Sequence, residues 1–158
     1  MAGTFEYRQA REITGAFERH HVKFLFIGKS GAIILGYPDT TQDADLFVEK
    51  TPENGRAIVA ALVELAFRLS DQDRRDVEAG KDFVQLRDGP FDLDLVFAPD
   101  GIETFSEAAR RAVVVEGMPV CHPDDIIRSK EATGRVKDRE SLPRLRAFRD
   151  WWAQRQKA

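Results

Sequence analysis

"TTQDADLFVEK" (residues 40–50) sets two acids one residue apart at the mouth of an apolar run. Asp43 and Asp45 flank Ala44, and Leu46, Phe47 and Val48 follow at once. Side chains alternate across a strand, so the two aspartates share one face while Leu46 and Val48 share the other. A strand with an ordinary buried face turns leucine or valine inward, not carboxylates. Two like charges held this close repel, and each raises the other's pKa unless something neutralises them. A divalent cation does so; Mg²⁺ prefers one or two carboxylates together with phosphate oxygens and water.

The stretch "FDLDLVF" (91–97) repeats the geometry, with Asp92 and Asp94 on one face of a strand and Leu93 and Leu95 on the other. Two strands that each bring acids to one face predict a three-carboxylate site for Mg²⁺ or Mn²⁺. Asp43 and Asp45 supply two of the ligands, and Asp94 or Asp92 supplies the third. An isolated Asp-x-Asp is more often a strand-end or turn feature. Here it follows a strand–glycine–helix unit, "IGKSGA" (27–32). Gly28, Lys29, Ser30 and Gly31 stand where a strand hands over to a helix. Glycine permits close backbone approach, and free N–H groups at a helix start favour phosphate. The Walker A spacing is absent, and a tight structural turn is the competing reading.

A chain of 158 residues is one domain by length. Its 42% hydrophobic content is enough for a folded core. No apolar run reaches membrane-spanning length and no signal-peptide pattern opens the chain, so the expectation is a cytoplasmic protein with no membrane partner. Cys121 is alone, which excludes an internal disulfide and a cysteine-based zinc site. His20, His21 and His122 lack partners at metal-ligand spacing. The net charge of −3 is unevenly spread: residues 128–158 hold ten Lys and Arg against four Asp and Glu. Such a segment either attracts a polyanion or is a solvated helical face.

Periodicity predicts an opening helix over 4–20, a buried strand over 21–28, a short helix over 30–37, and a strand at 43–49. Thr51-Pro52-Glu53 is a helix start, and that helix is expected to run to about Leu69. "DFVQLRD" (82–88) and "FDLDLVF" flank Asp88-Gly89-Pro90 as a β-hairpin. A helix over 103–110, two short edge strands at 112–121, a helix over 122–134 and a last helix from about Ser141 follow. The hairpin breaks strict strand–helix alternation. The fold class is therefore α+β, a small mixed sheet flanked by helices, with C-terminal helices from about 123.

The stretch "FLFIGKSGAIILGYPDTTQDADLFV" (24–48) resembles the signature of nucleotidyltransferase-fold proteins, including minimal bacterial nucleotidyltransferases and nucleotidyltransferase-like toxins of abortive-infection type. Gly28 matches the first glycine of the pattern, "GYPDTTQDAD" (36–45) the connection, and Asp43 and Asp45 the metal-binding pair. Asp94 matches the third carboxylate, with Asp92 as the alternative. "DDIIRSKEATGRVKDRESLPRL" (124–145) resembles the C-terminal part, where Lys130 and Asp138 border the active site. Two departures stand out: Lys29 replaces the second glycine, and Asp39 replaces the arginine after the proline.

The resemblance implies a metal-dependent transferase that moves a nucleoside monophosphate from an NTP such as ATP to a hydroxyl of RNA, tRNA among them, or of a protein, as in a toxin–antitoxin pair. In that reading Gly28, Lys29 and Ser30 cradle phosphates, Lys130 contacts them, and Asp138 holds Lys130 or the substrate. Alternatively, Lys130 is a solvated helix lysine and Asp138 an N-cap. A non-catalytic binding or regulatory module on the same fold is the competing function. A metal-dependent hydrolase on another α+β fold is disfavoured by the missing histidines.

Overall fold

The computed structural model describes residues 4–157. They form seven helices and six strands: α1 (Tyr7–Arg19), β1 (Phe24–Phe26), α2 (Gly28–Leu35), β2 (Asp43–Val48), α3 (Pro52–Glu64), α4 (Asp71–Ala79), β3 (Phe83–Leu86), β4 (Asp92–Val96), α5 (Phe105–Arg111), β5 (Val113–Val115), β6 (Met118–Val120), α6 (Pro123–Thr133) and α7 (Val136–Gln156). The strands make one mixed sheet in the order β3-β4-β2-β1-β6-β5. β2 runs parallel to β4 and antiparallel to β1, while β3 and β4 form the expected hairpin. The α+β class with a small mixed sheet flanked by helices is what the chain adopts.

Strand alternation sorts the core into two layers. Phe24, Phe26, Ala44, Leu46, Val48, Leu93 and Leu95 pack on one face against α1, α3 and α4 through Ile13, Phe17, Ile58, Leu62 and Val77. Leu25, Ile27 and Phe47 pack on the other against α2, α6 and α7 through Ala32, Ile126, Ile127, Leu142, Leu145 and Phe148. Burying each large aliphatic side chain stabilises the fold by about 1.5–3 kcal/mol. Asp43 and Asp45 have the parity of Phe47, so they lie on the α2–α6–α7 face.

Local chemistry explains the boundaries. Thr51 caps α3, its hydroxyl accepting from the Asn54 N–H at 3.0 Å, with Pro52 as the first helical residue. The Asn54 side chain then ties α3 to the sheet: its Oδ1 accepts from the Lys23 N–H at 2.8 Å and its Nδ2 donates to the Glu49 carbonyl at 2.8 Å.

The helix expected to reach Leu69 ends instead at Glu64, and Ala66 breaks it with φ of 69°. A separate helix, α4, follows at Asp71–Ala79, where sequence periodicity predicts none. Its segment "DQDRRDVEA" is polar and buries only Val77, so it carries no apolar period. Its signal was the capping box between Ser70 and Asp73 and the left-handed Gly80 that ends it. β6 is an interior strand, not an edge, because it pairs in parallel with β1. α7 begins at Val136 rather than near Ser141, so Pro143 sits inside it.

Gly55 gives a test of the α3–α4 packing. A Cβ there would lie 2.8 Å from the Glu78 Cα and 2.9 Å from the Val77 carbonyl oxygen. Helix propensity alone predicts that Gly55→Ala stabilises by about 1 kcal/mol. Backbone overlap predicts the opposite, a loss of about 1–3 kcal/mol. Urea denaturation of the variant should show a lower midpoint than wild type; a higher one would contradict the close packing of these helices.

Candidate active site

The β2–β4 ladder builds the acidic wall. Its register pairs Asp43 with Asp92 and Asp45 with Asp94, so four carboxylates from two adjacent strands share one face. Asp45 is held from both sides of its peptide. Its N–H donates to Ser30 Oγ at 2.9 Å, and its carbonyl accepts from the Ile27 N–H at 2.9 Å. Ser30 O–H in turn donates to the Ile27 carbonyl at 3.1 Å.

Gly28 has φ of 65°, and a Cβ there would sit 2.5 Å from Asp45 Oδ2. Only glycine lets the carboxylate rest against the start of α2. That helix has no side-chain cap, so its first N–H groups lack intrahelical partners. The glycine turn expected before the helix is thus the first turn of the helix itself.

Asp43, Asp45 and Asp94 line a cleft of about 620 Å³ together with Gly28, Lys29, Lys130 and Asp138. The structure therefore brings the acids of two strands, the start of α2 and the α6–α7 junction to one opening. Two expected residues stand apart from it. The Ser30 side chain is fully buried and its hydroxyl is spent on Asp45 and Ile27. It positions β2 instead of meeting a phosphate. Asp92 shares the acidic face but does not line the cleft, so Asp94 is the third acid at the opening.

On the facing wall, Lys130 Nζ lies 3.6 Å from Asp138 Oδ1, and Arg135 Nε donates to Asp138 Oδ2 at 2.7 Å. Arg135 is the N-cap residue of α7 and Asp138 an acid in its first turn, so the N-cap role expected for Asp138 does not hold. Asp138 is buried and grips Lys130, which is itself mostly buried, so the solvated-lysine alternative fails as well. Burial pulls Lys130 below the usual lysine range, with Asp138 and then Asp45 opposing the fall. Burial works against ionised Asp138, yet Arg135 and Lys130 hold it below the usual carboxylate range.

The two departures from the family pattern meet: Lys29 Nζ lies 3.5 Å from Asp39 Oδ2. Arg144 reaches the same Asp39 oxygen at 3.9 Å and stacks over the Tyr37 ring. Arg87, which no spacing in the sequence singled out, is ion-paired to three of the four strand acids. Its only signal was a hairpin whose ladder ends one residue earlier, at Leu86–Leu93.

Asp45 has no ion-pair partner among the described residues. Burial, then the charge of Asp94 and a hydrogen bond with it, push Asp45 up to about 8. Burial also raises Asp94, against the pull of Arg87. This is a site short of positive charge, and a divalent cation fits that deficit. The side chains are not closed around an ion: among the described residues no group of three His, Cys, Asp or Glu takes metal-holding geometry.

No family model matches the chain, and no curated protein matches it by sequence. Solved structures do. The solution structure of the antibiotic-resistance factor ANT(2'')-Ia superposes with a TM-score of 0.55 at 18% identity, covering 97% of this chain and 95% of that one. The crystal structure of a protein from Thermotoga maritima assigned as a nucleotidyltransferase gives 0.55 at 19% identity, covering 93% and 92%. The chain has the nucleotidyltransferase fold.

The raised Asp45 has a consequence for stability. An unfolded aspartate ionises near 3.9, whereas folded Asp45 keeps its proton until about 8. Folding therefore binds a proton between these values, and stability falls as pH rises through that window. Without divalent metal, Asp45→Asn should melt above wild type at pH 8 by a few degrees, corresponding to about 1 kcal/mol or more, and converge with it near pH 4. Parallel melting curves across the window would show that Asp45 is not a strained acid.

Proposed function

We propose that the protein is a metal-dependent nucleotidyltransferase that moves an NMP group from an NTP to an acceptor hydroxyl. One observation carries the reading: Asp43, Asp45 and Asp94 open into one cleft with the uncapped start of α2 and with Lys130.

In this function Asp43 and Asp45 would hold Mg²⁺ or Mn²⁺, which would supply charge neutralisation for an in-line displacement. The backbone of Gly28 and Lys29 at the start of α2 receives phosphate oxygens. Lys130, fixed by Asp138, adds a cation from the opposite wall. Asp94, buried with its pKa raised, takes the proton of the acceptor hydroxyl. The acceptor oxygen bonds to the α-phosphorus as the bond to pyrophosphate breaks. Positioning and electrostatics do most of this work.

The acceptor class proposed from the sequence is a hydroxyl of RNA, tRNA included, or of a protein, in a toxin–antitoxin setting within the cytoplasm. Ion pairing bears on that choice. Arg128, Arg135, Arg144, Arg146 and Arg149 each have an acidic partner, so much of the basic C-terminal charge is already balanced. That favours a protein hydroxyl over a long polyanion. Among the described residues, no helix is long and apolar enough to cross a membrane.

The second reading, a non-catalytic module, is favoured by the Lys29–Asp39 pair and by acids not closed around an ion. Two measurements separate the readings. Mg²⁺ with a nonhydrolysable NTP should raise the melting temperature of wild type, and the Asp43→Ala/Asp45→Ala double variant should lose the shift. Label from an NTP α-phosphate should appear on RNA or protein; if all four NTPs fail over a broad acceptor panel, the module reading wins.

Lys29 answers a separate question. If it leaves Asp39 for the triphosphate, Lys29→Ala should weaken NTP binding by about 1–2 kcal/mol, roughly tenfold, and leave nucleoside binding unchanged. Equal losses for both would make Lys29 a bystander.

A further inference from the structure

One carboxylate oxygen at the edge of the cleft is shared by two cations. Asp39 lies on the connection from α2 to β2, just ahead of Asp43. Its Oδ1 accepts from the Thr40 N–H at 2.8 Å. Its Oδ2 faces both Lys29 Nζ at 3.5 Å and Arg144 Nη1 at 3.9 Å. The Thr40 N–H, then Lys29 and Arg144, hold Asp39 below the usual carboxylate range, so it stays ionised at neutral pH.

The two cations are held differently. Arg144 is tied to the connection by further contacts: its Nη2 donates to the Pro38 carbonyl at 3.2 Å, and its guanidinium stacks 5.5 Å from the centre of the Tyr37 ring. Tyr37 in turn is buried against Phe148 of α7. Arg144 therefore keeps its place without Lys29. Lys29 has Asp39 as its one ion-pair partner among the described residues, and its ammonium rides on a flexible four-carbon stem. Lys29 lines the cleft, whereas Asp39 and Arg144 do not.

We infer that Asp39 is a positioning residue that parks Lys29 at the cleft until a triphosphate takes it, and that Arg144 is the partner Asp39 keeps when Lys29 leaves. The inference rests on the NTP reading above and adds a competition to it: Asp39 and the phosphates draw on the same ammonium. A partly exposed pair is weak, so a triphosphate with several charges displaces it. Without Arg144, Lys29 would be the sole cation on Asp39 Oδ2 and would be released less readily.

The test is calorimetric titration of the full chain with a nonhydrolysable ATP analogue and Mg²⁺. Asp39→Asn should tighten binding by about two- to fivefold, and Asp39→Glu should match wild type. With Lys29→Ala already in place, Asp39→Asn should give no gain. Arg144→Gln should weaken binding by a similar factor, and combining it with Asp39→Asn should abolish that loss. A gain from Asp39→Asn that survives beside Lys29→Ala would show Asp39 acting on the phosphates by its own charge, and would overturn the inference. Unchanged or weaker binding in Asp39→Asn would overturn it too, as would an Arg144→Gln loss that persists beside Asp39→Asn. Each of these outcomes leaves the transferase reading standing. No binding of the analogue by wild type would remove that reading, and this inference with it. Should Asp39→Asn not fold, exposed Arg144 decides: equal losses from Arg144→Gln with and without Lys29 would sink the hand-over.

Discussion

Everything at the opening depends on the parallel pairing of β2 with β4. That pairing sets Asp45 beside Asp94 and Asp43 beside Asp92. A one-residue slip would turn the acids into the α1–α3 core and the leucines toward the cleft. The register is held because Ala44, Leu46, Leu93 and Leu95 are fully buried on the opposite face. Hydrophobic burial on one side of the sheet thus forces electrostatic repulsion on the other.

The repulsion is contained in layers. Arg87 pairs with Asp92 and Asp94 on β4 and with Asp43 on β2. Gly28 gives the Asp45 carboxylate room against the start of α2, and Ser30 pins its backbone. What remains is Asp45, an acid without an ion pair among the described residues and with its pKa pushed up, a cost to folding of the kind that functional sites carry.

The opposite wall is built by ion pairs instead of strand register. Asp138, buried in the first turn of α7, holds both Lys130 and Arg135. Breaking such a pair leaves a charge without a partner in a poorly solvated place, so the α6–α7 junction presents Lys130 in a fixed position. Near the start of α2, Lys29 and Asp39 answer each other. A cation is present there, contributed by a residue on the helix rather than by the connection to β2.

The mixed-sheet class and the acids were legible in the residues alone. Alternation placed Asp43, Asp45, Asp92 and Asp94 on one side of their strands, because side-chain period along a strand is local geometry. Caps at Thr51 and Gly134 were legible for the same reason. The tertiary structure alone decided which strands are neighbours, that β6 lies inside the sheet, and that α4 exists as a separate helix. It also decided which groups Arg87, Ser30 and Asp138 meet. Those contacts join residues of different elements, or depend on burial, and neither period nor composition carries a distance through space.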